Sequence, residues 1–230
     1  MLSLREVSAG YGDIPITRDV TLDVAEGEVV ALVGRNGVGK STLAKAIVGL
    51  LPIQSGKLML AGADVTKAPA HVRARSGIGY VPQGREVFAT LSIEDNLKLG
   101  AGVGQAGVSL DRAYQLFPFL KDRSSRPAGI LSGGQQQMLA IARILTGAPR
   151  VLILDEPSDG IQPSIVEEIG LLIARLNAET GLTALLIEQN VDLIVACARR
   201  CLIMEKGAIV NEVEPLSLED PEVARRYLAI

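Results

Sequence analysis

The stretch Gly34-Arg35-Asn36-Gly37-Val38-Gly39-Lys40-Ser41-Thr42 fits the pattern G-x-x-x-x-G-K-[ST], and it leaves a chain few ways to fold. The run before it, Glu28-Val29-Val30-Ala31-Leu32-Val33, is β-branched without polar alternation, as expected of a strand buried on both faces. After it, Leu43, Ala44, Ile47, Val48 and Leu51 recur at helical spacing, and Leu51-Pro52 marks the expected stop. Strand, glycine loop and helix follow one another as a phosphate cradle requires. The glycines let successive backbone N–H groups turn onto an anion, and the helix N-terminus adds its partial positive charge. Lys40 is then expected to reach the β- and γ-phosphates, and the Ser41 hydroxyl to ligate Mg²⁺. A glycine-rich turn that binds nothing accounts for the glycines but not for Lys-Ser set between this strand and this helix. The residues imply a bound nucleoside triphosphate.

With 230 residues the chain is long enough for a substantial core. A net charge of −3 supplies no global basic field, so nucleic acid is not an expected partner. Only 3% of residues are aromatic and none is Trp, which argues against a stacking platform for single strands. No apolar run approaches the ~18 residues of a membrane span. Met1-Leu2-Ser3-Leu4-Arg5-Glu6 lacks the apolar core of a signal peptide, so a cytoplasmic protein is expected. Cys197 and Cys201 are too few for a disulfide framework or a zinc site and read as buried reduced thiols.

Residues 2–7 and 20–24 alternate as half-buried strands around a turn at 9–13, so an antiparallel β layer is expected ahead of the phosphate loop. A short strand is expected at 56–62. A basic helical turn follows at 70–75, with His71 on a solvated face beside arginines, and residues 78–82 form a strand ended by Pro82. From Gln83 to Pro149 the pattern is mainly helical. Ser92 caps one helix, residues 100–107 form a glycine-rich break, and a helix over 110–120 is interrupted at Pro118. Ser132 caps another helix that turns Met138, Ile141, Ala142 and Leu145 to one side. The apolar runs 151–154 and 183–187 read as parallel strands flanking a helix at 164–178, with polar residues at their carboxyl ends, where ligands bind in such sheets. A hairpin over 201–210 and a helix over 221–228 close the chain.

Asp155 follows four apolar strand residues, and a carboxylate presented there is costly without a cation. Given the phosphate loop, that cation is Mg²⁺, held by Asp155 and Ser41. Glu156 points to the other side and is placed to polarise a water on the γ-phosphate, which implies hydrolysis and not binding alone.

Leu131-Ser132-Gly133-Gly134-Gln135 discriminates further. With it, the chain resembles the ATP-binding-cassette family over essentially its whole length. The order of the phosphate loop, Gln83, LSGGQ and VLILDE is the family's order. The resemblance implies an α/β fold with a P-loop NTPase core, a mainly parallel sheet, an N-terminal antiparallel β subdomain and an inserted α-helical subdomain. One domain spans 1–230, with its α/β core in 1–82 and 150–230 and the helical signature part in 83–149. In the family, the signature of one subunit covers the γ-phosphate held by the other in a head-to-tail dimer. Ser132, Gly133, Gly134 and Gln135 take that role here, at a helix start whose glycines permit close approach. Tyr11 matches the adenine-stacking aromatic, and Thr42 the contact on the α-phosphate side. Gln83 matches the glutamine that joins the Mg²⁺ and attacking-water region to the membrane partner. Gln189, in Ile187-Glu188-Gln189-Asn190, stands where most members carry a histidine, and Gln162 stands at a usual aspartate. A glutamine amide donates a hydrogen bond to the γ-phosphate but carries no proton.

The same resemblance implies an ATPase motor at the cytoplasmic face of a bacterial membrane, with a second cassette, two permease subunits and, indirectly, an extracytoplasmic solute-binding protein. Ile187-Glu188-Gln189-Asn190 and Val81-Pro82-Gln83-Gly84-Arg85-Glu86-Val87-Phe88 look like importers of branched-chain amino acids, urea and short amides. Residues 160–166 with 83–88 lean toward the urea branch, with the branched-chain amino acid branch as the alternative. A soluble cassette acting on DNA or ribosomes lacks its usual tandem cassette, coiled coil or basic surface here. A non-hydrolytic sensor is disfavoured by Lys40, Asp155 and Glu156.

Overall fold

The computed structural model describes residues 1–84, 86–102 and 110–228. Arg85 and most of the glycine-rich break expected at 100–107 lie outside the described residues. In chain order the strands are β1 (Leu2–Tyr11), β2 (Ile14–Val24), β3 (Val29–Val33), β4 (Ile53–Leu60), β5 (Ala63–Asp64), β6 (Ile78–Val81), β7 (Val151–Asp155), β8 (Thr183–Ile187), β9 (Arg200–Glu205) and β10 (Ala208–Val213). The helices are α1 (Lys40–Val48), α2 (Ala70–Arg75), α3 (Ile93–Ala101), α4 (Leu110–Leu116), α5 (Pro118–Asp122), α6 (Gly133–Leu145), α7 (Pro163–Thr180), α8 (Val191–Cys197) and α9 (Pro221–Tyr227).

Two sheets form. The first is antiparallel, in the order β2-β1-β4-β5. The second runs β10-β9-β3-β8-β7-β6, parallel throughout except for the β9–β10 hairpin at its edge. The apolar runs of β3, β7 and β8 lack alternation because both faces are covered. Successive side chains still point to opposite faces. Ala31, Val33, Leu152, Leu154, Ala184 and Leu186 join one cluster with α3, α6, α7 and α8. Val30, Leu32, Val151, Ile153, Leu185 and Ile187 join a second cluster with α1 and the antiparallel sheet. The parallel sheet is thus the middle layer. Its strand ends beyond Val33, Asp155 and Ile187 come out together because β3, β8 and β7 are neighbours.

Several local expectations shift. β1 runs on to Tyr11 and β2 begins at Ile14, so the expected five-residue turn shrinks to Gly12-Asp13. α1 stops at Val48, not Leu51, because Gly49 (φ 85°) takes the left-handed cap and returns its N–H to Ala46 O and Lys45 O. The basic turn at 70–75 is only partly solvated: His71 is exposed, but Arg73 is buried. Its guanidinium donates to Thr66 O, Ala68 O, Ala46 O and Ile47 O, so it satisfies carbonyls at the end of α1. α8 had no expectation attached to it. The helix is short, and its start is set by Asn190, whose side chain accepts from Leu193 N. The expected breaks at Pro118 and the Ser92 cap are present, the latter accepting from Asp95 N.

Candidate functional site

Local chemistry shapes the loop between β3 and α1. Gly37 (φ 80°) and Gly39 (φ 111°) occupy the left-handed region, where a side chain is strained. A Cβ on Gly34 would collide with Met204 O of β9, so only glycine lets the chain turn away from the sheet there. Gly39 is the N-cap of α1 and offers no side-chain cap, so the first-turn N–H groups keep no side-chain acceptor of their own. Ile16 and Thr17 of β2 stand directly behind Gly39, which ties the antiparallel sheet to the loop.

Lys40 is 4% exposed. Its Nζ donates to Gly34 O (2.7 Å) and Arg35 O (3.1 Å) and lies 3.7 Å from Glu156 Oε1. Burial pulls its pKa below the usual lysine value, and the nearby Glu156, Asp155 and Glu188 carboxylates partly restore it. Ser41 Oγ donates to Asp155 Oδ1 at 2.9 Å, and the Tyr80 hydroxyl donates to Oδ2 at 3.1 Å. Asp155 is 1% exposed, and burial raises its pKa against the two hydrogen bonds that lower it. A carboxylate in that position gains from a cation. Its donor set, Asp155 and the Ser41 hydroxyl, is hard oxygen of the kind Mg²⁺ takes when phosphates and water complete its shell. The residues fit Mg²⁺.

Glu156 is where the remaining groups converge. Its backbone is left-handed (φ 47°), uncommon for a non-glycine residue, which re-aims the side chain just past the end of β7. Its N–H still bonds Ile187 O at 2.8 Å. Gln83 Nε2 donates to Glu156 Oε2 (2.9 Å) and to Asp159 Oδ2 (3.2 Å). Gln189 Nε2 donates to Glu156 Oε1 (3.2 Å) and Asn36 Oδ1 (2.6 Å). Three segments distant in sequence therefore meet on the Glu156 carboxylate: the phosphate loop, Gln83 and Gln189.

The other expected residues sit around or away from this centre. Thr42 is buried in α1, and Val38 packs against the sheet cluster. Tyr11 is 52% exposed at the end of β1. Ser132 and Gln135 bond each other: Gln135 N donates to Ser132 Oγ (3.3 Å) and Ser132 N donates to Gln135 Oε1 (3.2 Å). Gly134 has a reason within the chain, since a Cβ there would press on the Ile165 side chain of α7. Among the described residues no hydrogen bond joins Ser132–Gln135 to the Glu156 centre. Gln162 is the N-cap of α7 and gives no side-chain cap.

Sequence reasoning missed Tyr80 and Glu188. Nothing in the pattern of β6 marks Tyr80. Glu188 carries the same signal that exposed Asp155, a carboxylate directly after the apolar residues Ala184-Leu185-Leu186-Ile187.

The family described as "ABC transporter" matches residues 17–159. Over 232 residues the chain is 40% identical to the high-affinity branched-chain amino acid transport ATP-binding protein BraG of Pseudomonas aeruginosa, covering 99% of each. It is 40% identical over 212 residues to the probable branched-chain amino acid transport ATP-binding protein LivF of Archaeoglobus fulgidus, covering 91% of this chain and 90% of that one. A solved nucleotide-free ATP-binding cassette from an ABC transporter is 27% identical, with a TM-score of 0.83 over 97% of this chain and 96% of that one. These relatives do not support the lean toward the urea branch; the amino-acid alternative fits them better. The family's motifs thus sit on a fold shared with its solved members and in a site built for a triphosphate, and the chain belongs to the ABC transporter family as one of its ATP-binding, ATP-hydrolysing subunits.

Proposed function

We propose that this chain is the ATPase subunit of an importer of the branched-chain amino acid type, bound peripherally at the cytoplasmic face of the membrane. The observation that carries the catalytic part is the convergence of Lys40, Gln83 and Gln189 on Glu156 beside an uncapped helix start. Lys40 leaves its carbonyl partners for the β- and γ-phosphates, while the N–H groups of Gly37, Val38, Gly39 and Ser41 follow the phosphate oxygens. Asp155 and Ser41, with Gln83 beside them, would hold Mg²⁺, which when bound would supply charge neutralisation for the phosphates. Glu156 accepts a hydrogen bond from the attacking water and takes up its proton in part. The Gln189 amide leaves Asn36 Oδ1 to donate one hydrogen to the γ-phosphate and keeps the other on Glu156 Oε1. Tyr11 stacks on the base, and Thr42 serves the α-phosphate side.

Two copies pair head to tail, so that Ser132, Gly133, Gly134 and Gln135 of one cover the γ-phosphate held by the other. Residues 83–149 act as the signature part and 1–82 with 150–230 as the core. Loss of one phosphate removes several charge-assisted hydrogen bonds, each worth roughly 1.5–3 kcal/mol, and so loosens the pair. Two permease subunits and an extracytoplasmic binding protein complete the system. The names of BraG and LivF support the cargo class. Among the described residues no helix is long and apolar enough to cross a membrane, which suits a peripheral subunit.

The test is reconstitution of the complex with its permeases and binding protein in vesicles. Leucine, isoleucine or valine should stimulate ATP hydrolysis while urea and acetamide do not. Stimulation by urea alone would overturn the cargo assignment and leave the ATPase reading standing.

A further inference from the structure

Glu188 is 2% exposed and, among the described residues, forms no ion pair. Its charge is met by backbone amides and the Ser158 side chain, with the Lys40 ammonium nearby. Oε1 accepts from Gln189 N (2.7 Å) and Asn190 N (3.0 Å), and Oε2 accepts from Ser158 N (3.2 Å). A buried carboxylate pays a large desolvation cost, visible here as a pKa raised by burial against those hydrogen bonds.

What the carboxylate joins is specific. Ser158 lies two residues beyond Glu156, on the loop that leaves β7. Gln189 and Asn190 lie on the loop that leaves β8, and Asn190 also caps α8 through Leu193 N. The two loops touch a second time through the Gln189 amide, which reaches Glu156 Oε1. Glu188 N is itself held by Leu32 O of β3, so the side chain projects from a fixed point on the sheet. One oxygen thus anchors the backbone under Gln189 and the other anchors the loop behind Glu156.

We propose that Glu188 is a positioning residue for hydrolysis: it sets the spacing between the Glu156 loop and the Gln189 loop, and so holds the Gln189 amide on Glu156 and on the γ-phosphate. This rests on the reading of Gln189 given above. A glutamine at 188 keeps the shape but offers one acceptor oxygen in place of two, and its NH₂ faces an N–H. One of the two loops is then released. Misplacement of a catalytic contact by about an ångström lowers turnover steeply while leaving nucleotide affinity, which depends on the phosphate loop, largely intact.

The experiment is a double-mutant cycle on the full chain, reading kcat, KM for ATP and nucleotide Kd. Glu188→Gln is expected to lower kcat by several-fold, up to about the tenfold loss of Gln189→Ala, with KM and Kd within about twofold of wild type. In a Gln189→Ala background the same change is expected to lower kcat less than about twofold, because its route is already cut. If Glu188→Gln fails to fold, Glu188→Asp, which keeps the charge but withdraws it by one methylene, carries the same cycle. An undiminished loss in the Gln189→Ala background would overturn the proposal and leave Gln189 in its role. Unchanged kcat, or a loss confined to KM, would also overturn it. Normal turnover by Gln189→Ala alone would remove Gln189 from catalysis and take this route with it.

Discussion

Two helix starts in this molecule answer the same electrostatic problem in opposite ways. Both α1 and α6 present orphan N–H groups and a partial positive charge. At α1 the cap is Gly39, left-handed and without a side chain, and Lys40 is held back on Gly34 and Arg35 carbonyls. At α6, Ser132 and Gln135 close a reciprocal capping box. The open end is organised to receive an anion at once. The closed end is stable by itself and leaves only the Gly133 and Gly134 N–H groups outside the box. On the proposed head-to-tail pairing, a helix end that satisfies itself first suits a conditional contact with a second, phosphate-bearing copy.

That contrast breaks most visibly at the open end. Lys40→Ala should lower turnover by at least ~10²–10³-fold and weaken ATP binding in parallel, by equilibrium binding of a fluorescent nucleotide. Unaltered binding would show that the α1 start alone carries the phosphates. Glu156→Gln should cut turnover by about 10²–10⁴-fold yet keep ATP affinity, and size-exclusion chromatography should then show an ATP-dependent dimer. A variant that remains monomeric with saturating ATP argues against the pairing of the two helix starts. At Gln189 the expected loss is about tenfold for Ala and smaller for His, since a ring N–H can replace the amide donor. The reverse order would deny that a hydrogen-bond donor is what the position supplies. The smallest effect belongs to the closed end. Ser132→Ala should cost about 0.5–2 kcal/mol of stability, a fall of about 1–8 °C in Tm by calorimetry, because it removes the side-chain cap of α6 that α1 lacks.

The local signals carried far. The phosphate loop, both buried parallel strands, the Ser92 and Ser132 caps and the break at Pro118 follow from glycine conformation, capping chemistry and apolar runs, all short-range properties. Boundaries slipped where a neighbour decided them. α1 ends at Val48 because Gly49 takes the left-handed cap, and Arg73 from α2 then satisfies the carbonyls of Ala46 and Ile47. β1 and β2 are longer than their alternation suggests because the bulged hairpin keeps pairing up to Tyr11 and Ile14. A short string such as residues 83–88 does not fix the branch, and the relatives matched along the whole chain fit the amino-acid alternative better than the urea lean.

By itself, the order of residues determined that a triphosphate cradle exists here, that Asp155 and Glu156 stand at a strand end, and that a second helix start carries Ser132. Each is written within a few consecutive residues, where backbone geometry and hydrogen-bonding capacity act locally. Only the tertiary structure decided that Gln83, Gln189 and Lys40 meet on Glu156, that Tyr80 holds the free oxygen of Asp155, and that Glu188 ties two loops together. Those contacts depend on β3, β8 and β7 lying side by side in an order the chain does not follow, so no stretch of sequence contains them.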